Sequence, residues 1–344
     1  MHKPLWSQID LPVHSGDGWA LWRNGKTITC ADVSPVTELV ENWLPQKPVL
    51  VGAPGATRFV PPICIDRFRD KAGRVVARNL RNTAILFAVA AVIFVALALV
   101  LNQVRIAFMA ASLLLVAAVF AADSRGSTGS GNRIYDRALF FFWLYTDRSA
   151  RTGLALWMSL AVVAGGSQLV LQNVMGGMDP VFHAYGVMYP SLRTGEWWRL
   201  LSGPFLHYSP GHFFTNYCLL MLGGTLAWAL RGGWSIAVFV VGNLFGALAQ
   251  FLWGSQLYDN MGGISAGVFA LFGFILMSGA MQKRLLPEGL ALSMAGIMLA
   301  SGMVAEALTV SAASVAHIAG GISGLVLAIV YALHRSLTAK SINP

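Results

Sequence analysis

One serine and one histidine, each set among small residues, are the side chains with the clearest chemical potential. Ser265 follows Gly263 in a G-x-S pattern, and His317 follows Ala316 in an A-H-x2-G pattern that ends at Gly320. A serine hydroxyl is a weak nucleophile until an adjacent base accepts its proton. An ionisable side chain within an apolar helix is costly and is more often functional than not. The pair therefore predicts nucleophilic catalysis.

Ser265 taken alone supports a simpler interpretation. A serine in a membrane helix usually donates its hydroxyl to a carbonyl of the same helix and does nothing else. Short motifs of this kind also have many chance matches. The second motif around His317 reverses that preference, because it supplies the base that the serine would need.

A third pattern, H-x4-H-x3-N, comprises His207, His212 and Asn216. His212 and Asn216 are four residues apart and share a helix face. Two donors on one face can stabilise the oxyanion of a tetrahedral intermediate, whereas we expect His207 to be structural. Histidines also suggest zinc, but no H-E-x-x-H motif and no cysteine lies in step with them, so we predict no metal and no cofactor.

The composition is that of a membrane protein: 56% of the residues are apolar and only 11% are charged. A helix needs about 20 residues to cross a bilayer. Eight charge-free runs approach or exceed that length: 83–104, 106–122, 152–178, 200–230, 232–258, 260–282, 289–305 and 307–333. We expect the first two to form a hairpin that turns at 102–105.

The positions of Lys and Arg predict the orientation. Six of them fall between Arg67 and Arg81 against one acid, and further clusters follow the second, fourth, sixth and eighth runs. Positive residues remain on the cytoplasmic side, which predicts a multi-pass membrane protein with both termini in the cytoplasm. We expect the membrane to be a bacterial inner (plasma) membrane. The net charge of +9 then reflects topology and attraction to anionic lipid, and not binding to nucleic acid.

The predicted organisation has five parts. A small cytoplasmic N-terminal region contains a hairpin signal at Asn24-Gly25, and a Gly/Ser-rich segment separates two membrane parts. The parts are residues 1–81 (N-terminal region), 82–122 (transmembrane hairpin), 123–150 (linker), 151–337 (six-span core) and 338–344 (cytoplasmic tail).

Because successive spans cross the membrane in alternate directions, the three polar motifs are predicted to meet. The runs that begin near residues 200, 260 and 307 all start on the outer side, which places His212, Ser265 and His317 at comparable depth. Gly320 and Gly324 have the G-x-x-x-G spacing that lets a neighbouring helix approach closely. Hydrolysis at that depth requires a cavity that admits water.

These motifs together resemble those of the rhomboid intramembrane serine proteases. The resemblance covers about residues 150–337, the whole six-span core. It rests on four ordered patterns: Trp198-Arg199, His207/His212/Asn216, Gly263/Ser265 and the A-H-x2-G-x3-G motif from Ala316 to Gly324.

The resemblance implies a role for each residue. Ser265 would be the nucleophile and His317 its general base, in a dyad without a carboxylate. His212, Asn216 and the Ser265 backbone N–H would form the oxyanion hole. Arg199 would brace the loop 179–199, and Phe269 would pack beneath His317. Two residues depart from the family pattern: Ala266 replaces a common glycine, and Phe269 replaces a frequent tyrosine. Neither departure removes a group that does chemistry.

Three functions compete at this point. The first is a serine endopeptidase that cleaves single-span membrane proteins near the outer face of the membrane. The second is a proteolytically weak or inactive rhomboid-like protein that binds membrane clients, which the intact Ser265 and His317 argue against. The third is a small-solute transporter, but the core lacks the intramembrane charged residues that usually couple ions. The sequence favours the endopeptidase and does not indicate the oligomeric state.

Overall fold

The computed structural model describes residues 5–128, 131–254, 259–282, 285–308 and 313–342. Within them, six helices are long and apolar enough to cross a membrane, and two shorter apolar helices span Ser265–Met281 and Leu290–Met303. The prediction of an all-α polytopic membrane protein is thus confirmed. Contacts divide the chain into two compact units, Met1–Thr146 with Gln282–Ala307, and Asp147–Met281 with Leu308–Pro344.

The helices and strands have the following bounds. The helices are α1 (Ser34–Glu41), α2 (Asp66–Leu101), α3 (Val104–Ser127), α4 (Gly131–Thr146), α5 (Arg148–Met175), α6 (Met178–Tyr185), α7 (Tyr189–Arg193), α8 (Arg199–Ser202), α9 (Pro210–Arg231), α10 (Trp234–Ala249), α11 (Ser265–Met281), α12 (Leu290–Leu308) and α13 (Ser314–Ile342). The strands are β1 (Ala20–Arg23), β2 (Lys26–Thr29), β3 (Val49–Gly52), β4 (Val187–Met188) and β5 (Asn260–Met261).

The first unit begins with a small antiparallel sheet in the order β2-β1-β3. Arg23 pairs with Lys26 across a two-residue turn. Both turn residues, Asn24 and Gly25, have positive φ values of 53° and 79°, as the favoured two-residue hairpin turn requires. The predicted hairpin is confirmed.

The N-terminal region forms a small folded domain whose apolar core also includes residues of α2 and α4. Val36 and Val40 of α1 pack in one cluster with Phe68 and Ala72 of α2 and with Ile134 of α4. Helix α2 therefore serves two purposes. Its first turns belong to the core of this domain, and its remaining turns form the first membrane span.

Helices α2 and α3 form the predicted membrane hairpin. Helix α2 ends at Asn102, whose φ of 49° is left-handed, a conformation that Asn tolerates better than most residues. The turn lies within the predicted interval 102–105. Helix α12 belongs to the same unit, and a Cβ on its Gly296 would lie 2.5 Å from the Val119 side chain of α3.

The linker predicted over 123–150, with a flexible segment expected at 123–134, is mostly helical in its described residues. Asp123 lies within α3, and α4 spans Gly131–Thr146. Arg137 of α4 donates a 2.6 Å hydrogen bond to the Asp123 carboxylate, and Arg133 donates another at 3.2 Å. This buried ion cluster and the apolar face of α4 outweigh the local preference of the Gly/Ser-rich sequence for a loop.

The second unit is built around α11, which packs against α9, α10 and α13. Nearly every residue from Ala266 to Ile275 is buried. At 17 residues α11 is about 25 Å long, shorter than the ~30 Å hydrocarbon core of a bilayer. Two of the helices that pack against it, α9 and α13, are longer, at 22 and 29 residues.

Two predicted spans start later in the structure than in the sequence analysis. The run 200–230 holds the short helix α8 and a turn before α9 begins at Pro210. Proline has no N–H and is well suited to the first turn of a helix, and the Ser209 hydroxyl accepts a 3.2 Å hydrogen bond from the His212 N–H. The run 260–282 begins with β5, and α11 starts only at Ser265. Residues 309–312 of the eighth run lie outside the described residues.

Candidate active site

Ser265 and His317 are hydrogen-bonded to each other. The Ser265 Oγ lies 2.8 Å from the His317 Nε2. Ser265 is the first residue of α11, and His317 lies in the first turn of α13. Residues 52 positions apart in the chain thus come together at the same end of two adjacent helices. A serine with an imidazole nitrogen at this distance has a base available to accept its proton.

The approach of α11 and α13 depends on two glycines. A Cβ on Gly320 would overlap the carbonyl oxygen of Ala266, and one on Gly324 would overlap that of Ala270. The side chain of any other residue at either position would force the helices apart, which is the physical basis of the G-x-x-x-G spacing. These glycines therefore set the distance between the helix that carries the serine and the helix that carries the histidine.

The ring of Phe269 fixes the plane of the imidazole. It stacks on His317 with ring centroids 4.7 Å apart and an interplanar angle of 7°. Only 9% of the His317 surface is exposed. The stacked contact uses the aromatic face, so phenylalanine suffices for it without a hydroxyl.

His212, Asn216 and Gly263 enclose a small space beside the serine. A Cβ on Gly263 would lie 2.7 Å from His212 Cε1 and 3.1 Å from Asn216 Nδ2. Gly263 has a φ of 105°, a left-handed conformation that favours glycine. The Asn216 Nδ2 is buried and has no hydrogen-bond partner within the described part of the chain. A buried unpaired donor costs stability, and here it faces a space that an acceptor oxygen can fill.

The N-terminus of α11 adds further donors to this space. The first N–H groups of a helix lack intrahelical carbonyl partners and carry a partial positive charge. The N–H of Gly267 is already taken, because it donates to Asn243 Oδ1 at 3.1 Å. The N–H groups of Ser265 and Ala266 have no carbonyl partner within α11.

His207 anchors a loop and lies outside this space. Its backbone N–H donates to Gln168 Oε1 at 2.9 Å, and its carbonyl accepts from Gln168 Nε2 at 2.7 Å. Its ring is fully buried, with Nδ1 lying 3.0 Å from the Phe205 carbonyl oxygen and an edge-on contact to His212 at 5.1 Å between centroids. The His207 ring therefore packs against the His212 ring and supports it.

Three polar residues that the sequence analysis passed over hold the frame of the site. Gln168 of α5 fixes the His207 loop, and Asn243 of α10 fixes the first turn of α11. Gln250 accepts a 3.1 Å hydrogen bond from the N–H of Ala316. Asn243 lies in α10 and Gln250 directly follows that helix. Two amide side chains in a long apolar run were the sequence signal that could have found them.

Arg199 braces the loop before α9, together with Trp198. Its guanidinium donates to the Gly186 carbonyl at 3.1 Å and to Glu196 at 2.8 Å, and it lies 4.8 Å from the Trp198 ring centroid. The same loop contributes β4, which pairs with β5 just ahead of Ser265. Arg199 therefore stabilises the loop that pairs with β5, the strand that precedes Ser265.

The described geometry defines a class: a polytopic helical membrane protein with a serine and histidine paired at the ends of two closely packed helices. Comparison with known proteins agrees with this class. A Rhomboid domain profile matches residues 194–334, a range that contains both paired residues.

The chain is also similar to several proteins that are named rhomboid proteases. It is 31% identical over 201 residues to the rhomboid protease GlpG of Serratia proteamaculans, covering 57% of this chain and 69% of that protein. It is 29% identical over 218 residues to the rhomboid protease GlpG of Klebsiella pneumoniae, covering 61% and 72% respectively. The chain belongs to the rhomboid family of intramembrane proteases.

Proposed function

We propose that this rhomboid protease is a serine endopeptidase whose catalytic groups are Ser265 and His317. The observation that carries the proposal is the 2.8 Å contact between Ser265 Oγ and His317 Nε2 beside a space lined by unpaired donors. Nucleophile, base and oxyanion donors around one position are what acyl transfer by serine requires.

In the first step His317 Nε2 accepts the Ser265 hydroxyl proton while Oγ attacks the carbonyl carbon of the scissile peptide. This requires a neutral imidazole with its proton on Nδ1. Among the residues whose side chains the structure describes, no carboxylate is hydrogen-bonded to His317. Stacking on Phe269 orients the His317 ring, which is the task that a carboxylate has in a catalytic triad. Ser265 and His317 therefore act as a dyad.

The oxyanion formed by this attack lies in the space beside Gly263. Asn216 Nδ2 and the His212 ring can both donate to it, and the Ser265 N–H at the start of α11 provides a third donor. The partial positive charge of the helix N-terminus adds to the stabilisation. Donors that are fixed before the reaction need no reorganisation as the charge develops.

The second half of the reaction uses the same groups in reverse. The protonated His317 gives its proton to the leaving amine, which breaks the C–N bond and leaves an acyl ester on Ser265. Water then attacks the ester, His317 accepts a water proton, and Ser265 Oγ leaves with that proton. The enzyme returns to its starting state.

The proposed substrates are single-span membrane proteins cut near the outer face of the membrane. Support comes from the positions of Ser265 and His317 at the ends of apolar helices, which make a bond within or beside a membrane segment accessible. The Lys/Arg distribution supports cytoplasmic termini in a bacterial inner membrane, which puts the site on the outer side.

A serine-reactive fluorophosphonate probe on the purified protein tests the proposed nucleophile. Wild type should be labelled once, and Ser265→Ala should abolish the labelling. Ser278→Ala, which alters a buried serine of the same helix, is the matched control and should label normally. Labelling that persists in Ser265→Ala would refute the assignment. A correctly folded wild-type protein with neither labelling nor cleavage would favour the client-binding function.

Cleavage of a panel of single-span substrates, mapped by mass spectrometry, tests the substrate class. Cuts should fall at or near the outer end of the substrate helix and should disappear in Ser265→Ala. Cuts confined to soluble control peptides would contradict the proposed class while leaving the serine mechanism intact.

A further inference from the structure

The first unit contains a large cavity, and its lining residues are far in sequence from Ser265. Its volume is about 1120 Å³, and it is lined by α2, by the end of α3 and by the start of α4. Four residues of α2, Lys71, Arg74, Arg78 and Arg81, line it at intervals of three or four positions, so their Cα atoms follow one face of the helix. Arg69 of α2 and Arg125 of α3 bring the basic residues of the lining to six, and the carboxylates of Glu41 and Asp70 also line the cavity.

Most of this positive charge is not neutralised. Lys71 pairs with Glu41 at 2.8 Å, and this hydrogen bond lowers the pKa of the Glu41 carboxyl. Arg74, Arg81 and Arg125 are exposed, and the structure gives them no ion-pair partner among the residues it describes. A cavity wall that carries several unpaired guanidinium groups attracts an anion.

A buried hydroxyl in the same wall also lacks a partner. Ser127 lines the cavity, is 1% exposed, and its Oγ has no hydrogen-bond partner among the residues that the structure describes. The neighbouring Ser124 is satisfied, since it donates to the Ala77 carbonyl at 2.8 Å. A buried donor is normally paired, so the Ser127 hydroxyl points to an acceptor supplied by a ligand.

The cavity also lies at a defined level of the membrane. From Arg81 to the end of α2 at Leu101 the helix rises about 30 Å, the thickness of the hydrocarbon core. Arg78 and Arg81 are therefore at the level of lipid phosphates on the side of the membrane that carries the N-terminal domain. Arginine suits phosphate because its planar guanidinium donates two parallel hydrogen bonds.

We propose that this cavity binds a phosphate-bearing anion, with Arg78, Arg81 and Arg125 contacting the phosphate and Ser127 donating to it. The level of the cavity in the membrane indicates an anionic phospholipid headgroup as the source. A soluble phosphate compound has the same recognition chemistry, and the test separates the two.

Native mass spectrometry of the full-length protein, titrated with phosphatidylglycerol or with phosphatidylcholine of the same chains, measures the binding. Wild type should prefer phosphatidylglycerol. Arg78→Gln with Arg81→Gln should weaken its binding by about 30-fold, since each basic residue near a membrane surface contributes about a fivefold factor. Arg23→Gln with Lys26→Gln removes the same charge from the exposed hairpin of the same unit and should change binding little.

A second variant separates a built site from general electrostatic attraction. Ser127→Ala leaves the charge unchanged and should still weaken phosphatidylglycerol binding several-fold, whereas Ser112→Ala, a buried serine of the same helix that is already bonded to Met109, should not. Equal affinity for the two lipids, or equal loss in the cavity and control double variants, would overturn the proposal. Binding of glycerol 3-phosphate that Ser127→Ala abolishes, without a lipid preference, would overturn the lipid source.

Discussion

The side-chain oxygen of Asn243 accepts a hydrogen bond from the backbone N–H of Gly267 at 3.1 Å. Gly267 lies two residues after the candidate nucleophile, so α10 holds the first turn of the serine helix through this amide. Gln250 does the same for the histidine helix through Ala316. Helix α10 and the residue that directly follows it thus position the starts of the two helices that carry the candidate catalytic pair.

Asn243→Ala should lower both stability and kcat. The N–H of Gly267 would remain buried and unpaired, at a cost of about 1–3 kcal/mol, and the serine would lose its fixed position. Thermal unfolding and steady-state cleavage measure the two effects. Ser235→Ala, another buried polar residue of α10, is the control. A Tm loss like that of the control, with unchanged kcat, would leave Asn243 a purely structural role.

Ser265→Ala and His317→Ala should each lower kcat by about 10⁴–10⁶-fold, and the double variant should be no worse than either single variant. Groups that act as one unit are not additive when removed. Single-turnover cleavage of one transmembrane substrate measures all three. Near wild-type turnover in His317→Ala would mean that another group is the base.

His212→Ala and Asn216→Ala should each lower kcat by up to about 10²–10³-fold, because each removes a donor to the oxyanion. Gly263→Ala should also lose activity, since its Cβ would fill the space between these two donors. His207→Ala should reduce the Tm more than the rate. A large Tm loss for His212→Ala at unchanged specific activity would reverse the roles of the two histidines.

Gly320→Ala should impair cleavage, whereas Gly321→Ala should be tolerated. A Cβ at 320 meets the Ala266 carbonyl, while a Cβ at 321 has nothing within 4 Å. Overpacking costs about 1–3 kcal/mol, and a 1 Å displacement of reacting groups costs about 10²-fold in rate. Gly324→Leu should behave like Gly320→Ala. Equal activity of the 320 and 321 variants at equal expression would contradict this role for the glycine face.

Asp123→Ala should destabilise the protein by about 3–5 kcal/mol, because it leaves buried arginines without their counter-charge. Asp123 and Arg137 are 5% and 7% exposed. Arg137 also donates to the Glu288 carbonyl at 3.0 Å, ahead of α12. Asp17→Ala, at an exposed position, should change the Tm little. Similar melting of the two variants would show that the buried cluster adds no stability.

The sequence predicted the features that depend on local chemistry and on spacing. The Asn24-Gly25 hairpin and the turn at Asn102 follow from residues that tolerate left-handed backbone. Among the described residues, six of the eight apolar runs correspond to helices long enough to cross a membrane, and the other two correspond to shorter apolar helices. The pairing of Ser265 with His317 was expected from span parity and small-residue spacing, and the structure places them in contact.

Features that depend on distant contacts were missed. The Gly/Ser-rich start of the predicted linker does not reveal that Arg137 would find Asp123 and hold α4 as a helix. Gln168 looked like an ordinary polar residue of a membrane helix, because its partner, the His207 backbone, is 39 residues away. The start of α11 was misplaced since β5 forms only when β4 lies beside it.

The continuity of α2 has a mechanical consequence. Its 36 residues form one continuous helix about 54 Å long. Phe68 and Ala72, near its first residue, are buried in the core of the N-terminal domain. No loop separates that domain from the membrane span. Since helices adapt to bilayer thickness by tilting, a thicker or thinner membrane turns the domain through the same angle as the span.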